Sequence, residues 1–124
     1  MKYAEEMAVH TWNNVNVMFE QYKSDYKQGV MEAIDQCLTS MADSGRDSAR
    51  FLPKDLPIPK EIFKACHMEI LEDIRCELVD LGYDVFITDN DRPLINNAVK
   101  DIVETIYVSW HTKYLLLLRA KHER

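Results

Sequence analysis

A chain of 124 residues, 47% apolar and 29% charged, is long enough for one modest core and no more. Its net charge of −6 argues against a grip on nucleic-acid phosphates, which wants a basic face. Its three glycines cannot build a phosphate loop, and its three cysteines lack C-x-x-C spacing, which suits a reduced, cytoplasmic setting.

Residues 3 to about 42 read as one long helix, with room for a bend. Met7, Ala8, Thr11, Trp12, Val15, Met18, Phe19, Tyr22, Tyr26, Val30, Ala33 and Cys37 fall on one arc at 100° per residue. Gly29 lies on that arc and marks a kink or a close approach by another helix. Glu5 and Glu6 sit where a signal peptide would carry positive charge, and no apolar run follows them.

Residues 39–59 break the period and form a connector inside a single domain spanning 1–124. Ser40 to Arg50 is polar, with Gly45, and reads as an exposed loop. Pro53, Pro57 and Pro59 impose extended backbone, while Phe51, Leu52, Leu56 and Ile58 pin the connector to the core.

A second helix follows over 60–81, entered from Pro59 and stopped by Gly82. Phe63, Ile70, Leu71, Ile74, Leu78 and Leu81 make its buried face, with His67 in the middle of that arc. His67 reads first as a core histidine bonded to a neighbour, and second as a buried general base. Glu69, Asp73, Glu77 and Asp80 form an acidic ridge on the opposite side. A solvated ridge can dock a basic partner, and reversing Asp73 and Glu77 should then leave thermal stability unchanged.

Tyr83 to Thr88 is rich in β-branched and aromatic residues and reads as a short strand. Its partner would be the connector around 51–58, its own twin in a second subunit, or Thr105–Trp110 as a further strand. The 3.6-residue period through Ile95, Val99, Ile102, Ile106, Trp110, Tyr114 and Leu117 favours a helix from Pro93 to the C-terminus instead. The expected fold is therefore mainly α, three helices with a short β element between the second and third. A small α+β fold is the alternative.

Near the C-terminus, Lys113 sits on the apolar arc among Tyr107, Trp110 and Tyr114. Snorkelling explains a lysine there, and so does a pocket for an anionic ligand lined by Phe86, Tyr107, Trp110 and Lys113. Tyr114, Leu115 and Leu118 widen the apolar surface beyond what one small domain covers, which points to an oligomer interface. The run Leu115–Leu118 is far short of the ~20 apolar residues of a membrane span. Arg119, Lys121 and Arg124 complement the helix dipole, or meet the acidic ridge of a second subunit.

The four histidines lack the i, i+4 spacing of a metal pair, and no serine has a histidine at helical spacing. Neither a metal, a cofactor nor catalysis is expected. The expected function is a small cytoplasmic homo-oligomeric binding protein acting by protein–protein contact, as an inhibitor or adaptor. An accessory protein of a virus or mobile element fits, although no residue shows it. A binder of a small anionic ligand such as a nucleotide, seated at a subunit interface, is the alternative, and an enzyme using His67 or the carboxylates is the third reading.

Overall fold

A computed structural model describes residues 3–89, 104–110 and 118–121. The described residues are mostly helical, with a three-stranded antiparallel sheet. The long N-terminal helix is present as α1 (Ala4–Gln21), one π-helical turn (Tyr22–Tyr26) and α2 (Lys27–Asp43). Strand β1 (Ser48–Phe51), α3 (Lys60–Asp80), β2 (Asp84–Asp89) and β3 (Glu104–Ser109) follow.

The π turn corrects the sequence arc. A π turn accommodates one extra residue, which offsets the phase by about 100° for everything that follows. The regular period assigned Val30, Ala33 and Cys37 to the core; the structure buries Val30, Ile34 and Leu38, while Ala33 and Cys37 are half-buried. The expected role of Gly29 falls with it. Gly29 is exposed, and among the described residues nothing beyond its own helix turn lies within 4 Å of where its Cβ would stand. The irregularity lies at Tyr22–Tyr26 instead.

Both long helices end in the same way. Gly45, at φ 78°, donates to the Ala42 carbonyl while Arg46 donates to that of Met41, each at 2.9 Å. Gly82, at φ 97°, donates to Val79 at 2.9 Å, and Tyr83 to Leu78 at 3.0 Å. This paired capping satisfies carbonyls that the helix leaves open and needs a left-handed residue, hence glycine. Leu81 precedes the second cap and is exposed, so it leaves the buried face expected of it.

The helix expected from Pro93 onward does not run through residues 104–109, which are β3. Strand β3 is central, between β1 and β2, and antiparallel to both. Its β-branched residues suit a pleated surface, and the strand supplies the hydrogen bonds that β2 requires. Within the chain the partner of β2 is therefore β3 and not the 51–58 connector. The connector contributes on the other side, as β1, within what reads in sequence as a loop. The other parts of that expected helix, 93–103 and 111–117, lie outside the described residues.

Alternation sorts the sheet. Ala49, Val108 and Val85 form one cross-strand row, and Phe51, Ile106 and Ile87 the next, both facing the core. Val30, Ile34 and Leu38 of α2, with Ile70, Ile74 and Leu78 of α3, complete that core. α3 leaves helical geometry at Cys66 (φ −137°, ψ 38°), which turns Ile62 and Cys66 inward. His67 is consequently half-buried, its ring 6.0 Å from that of Phe63, and Cys66 occupies the buried place. Among the described residues no helix is long and apolar enough to cross a membrane.

Candidate functional site

The outer face of the sheet carries the row Arg50–Tyr107–Phe86. All three are exposed, and the Phe86 and Tyr107 rings lie 6.3 Å apart. Cross-strand placement at this distance is what an antiparallel pair gives directly opposed residues. Two aromatic rings in one cross-strand row with an arginine are groups that can offer stacking and charge to a planar anion. Only part of the expected ligand set converges here. Trp110 has the opposite parity and packs edge-on against Tyr83 at 6.0 Å, on the core side. Lys113 lies outside the described residues. Arg50 was not legible as a member of the row, because its connector carried no strand period.

The acidic ridge is not a free surface. Lys27 Nζ donates to Asp73 at 3.2 Å and to Glu77 at 2.8 Å. These contacts, with Phe19 beside Met68, show that α1 and α2 pass α3 in the same direction. The Lys27 ammonium is held charged above the usual lysine range, mainly by its hydrogen bond to Glu77. Asp73 and Glu77 therefore serve the fold, whereas Glu69 and Asp80 remain exposed.

Beside this ion pair lies a buried polar group. Tyr22, in the π turn, is fully buried, and its hydroxyl has no hydrogen-bond partner among the described residues. Burial, then the negative charges of Asp73 and Glu77, hold its phenol protonated far above the usual range. The Cys66 thiol, raised by burial, donates to the Ile62 carbonyl at 3.1 Å. An unsatisfied buried hydroxyl costs roughly 1–3 kcal/mol. Tyr22→Phe should therefore raise stability at neutral pH by about 1 kcal/mol. The native phenol pKa is raised, so its contribution is complete below the unfolded value of about 10 and declines as pH rises above it. Urea titrations at pH 7 and pH 11 should show a smaller alkaline loss for the variant than for the wild type. A destabilised Tyr22→Phe would show that the hydroxyl is bonded after all.

Two surfaces depart from the sequence reading, which placed Met7, Ala8, Thr11, Trp12 and Phe19 inside and Glu69 and Asp73 on an outward ridge. Residues 3–14 are exposed throughout, although Met7, Thr11 and Trp12 are in phase with Val15, Met18 and Phe19, which pack on the core. Further along, a groove of about 450 Å³ runs between α1 and α3, lined by Phe19, Met68, Glu69, Glu72, Asp73 and Cys76. Lys23 lies over the Phe19 ring at 4.8 Å. Of the expected interface, Leu118 is exposed in a helical turn over 118–121, while Tyr114 and Leu115 lie outside the described residues. Among the described residues no group of three His, Cys, Asp or Glu side chains is placed to hold a metal ion. Comparison with protein families, with curated proteins and with solved structures finds no match.

Proposed function

We propose that this chain is a homo-oligomeric binding protein that acts by protein–protein contact rather than by catalysis, with the free N-terminal stretch of α1 as its target-binding surface. One observation carries the reading. The apolar stripe that packs α1 onto α3 continues toward the N-terminus past the last packed residue, Val15, with Trp12 65% and Met7 50% exposed. Residues 4–14 span about 16 Å, three helical turns. Large exposed apolar groups at helical spacing are the anchors by which a helix enters a partner's groove.

Met7→Glu with Trp12→Glu tests this. Neither side chain belongs to the core, so helical circular dichroism and the thermal midpoint should stay within error of the wild type. Capture from the native host should lose its specific partner, and the purified partner should bind the variant at least about tenfold more weakly, as for loss of a buried aromatic anchor. Equal binding by a folded variant would remove α1 from the contact.

A further inference from the structure

The α1–α3 groove has two chemical characters. Its floor is apolar, with Phe19 on one wall and Met68, itself 70% exposed, on the other. Its rim is acidic. Asp73 is held by the half-buried Lys27, whereas Glu72 shares only an exposed, water-screened pair with Arg75 and keeps its carboxylate open to a further cation. Glu69 has no cation beside it among the described residues; Lys23, paired with Glu20, covers only the Phe19 end. A complementary occupant needs an apolar side chain flanked by positive charge.

The chain carries such a group itself. In the turn over 118–121, Leu118 is 51% exposed, and Arg119, Ala120 and Lys121 are exposed with it. At 100° per residue, Arg119 and Lys121 fall about 100° and 60° to either side of Leu118. One leucine is thus bracketed by two cations, the converse of an apolar floor with a carboxylate rim. Among the described residues Met68 of the groove and Leu118 of the turn are both exposed, so neither covers the other.

We propose that the groove receives the 118–121 turn of a second copy, Leu118 seating against Phe19 and Met68 while Arg119 and Lys121 meet the carboxylates of Glu69 and Glu72. The exchange is reciprocal. Each copy gives one turn and offers one groove, which closes a two-fold dimer and leaves no half unmatched. The proposal rests on the oligomeric reading above and adds the contact that would build the oligomer. It leaves residues 3–14 free for the target.

Charge reversal separates this from its alternatives. One variant carries Glu69→Lys and Glu72→Lys; a second carries Arg119→Glu and Lys121→Glu. Sedimentation at low salt should show a wild-type dimer at micromolar concentration and a dissociation constant raised about tenfold or more in each variant alone, as like charges face each other. An equimolar mixture of the two variants should restore the dimer, because each groove then meets a turn of opposite sign. The restored dimer should weaken as salt is added. Leu118→Glu should yield monomers that retain the wild-type circular dichroism.

A wild-type monomer at high concentration would overturn both the oligomeric reading and this contact. A wild-type dimer indifferent to both reversals would overturn this contact alone. Variants that weaken singly but are not restored by mixing would also overturn it, since the contact would not lie between copies.

Discussion

Asp73→Lys is expected to lower the free energy of unfolding by roughly 3–5 kcal/mol, the range for breaking a largely desolvated ion pair by removing one member. The site explains the size. Lys27 and Asp73 have side chains only 26% and 18% exposed, and the fully buried Tyr22 adjoins them. A second ammonium there would face Lys27 in a medium that screens poorly. Glu77→Lys should cost much less, on the order of 1 kcal/mol, because that side chain is 44% exposed and water shares its charge. Glu69→Lys, on the same helix and exposed, should stay within about 0.5 kcal/mol. Urea unfolding of the three variants gives the order directly. Equal, small effects would return Asp73 to the role of a solvated ridge residue.

Val108→Asp should abolish folding at 25 °C or leave a chain on the edge of it. Val108 is 1% exposed in the central strand, between Ala49 and Val85. A carboxylate there has no cation in its cross-strand row, and stripping it of water costs several kcal/mol. A domain holds only about 5–15 kcal/mol in total. The substitution also discriminates between the two backbone conformations open to this stretch. On a helix running from Ile95 to Leu117, residue 108 points about 200° away from Ile106 and would tolerate a charge. In the strand the two share a face. A Val108→Asp protein with wild-type stability would contradict β3; Tyr107→Asp, on the outer face, is the matched control and should fold.

The contrast between helix and strand at 104–109 shows where sequence reading ran out. Ile106 and Trp110 satisfy both periods, so the run from Ile95 to Leu117 looked unbroken. Only the burial of Val108 and the exposure of Tyr107 break the tie, and these depend on β1 and β2 standing alongside. The long N-terminal helix, α3 and its glycine stop were legible because period and capping chemistry agree locally. The glycine cap at Gly45 was equally local, but its polar neighbours concealed it as a loop. The aromatic pair Phe86–Tyr107 came together as part of the expected ligand set, whereas Trp110 left it through strand parity. Asp73 left the ridge because of Lys27, 46 positions earlier in the chain, and no spacing rule relates two such positions.

The turn at Tyr22–Tyr26 also governs which changes in chain length the protein can survive. Deleting one residue there, for instance Ser24, would let the backbone run as regular α-helix with better local hydrogen bonding. The gain would be lost elsewhere, since everything downstream would turn by about 100° against the sheet. Val30, Ile34 and Leu38 would swing off the core, and Lys27 away from Asp73 and Glu77. A descendant lacking that residue could keep the fold only by moving its whole lower apolar stripe round the helix by the same angle, many substitutions at once. The turn and the stripe below it are therefore interlocked: a single deletion within 22–26 is expected to survive only with compensating changes at the Val30, Ile34 and Leu38 positions, although the local structure would favour it.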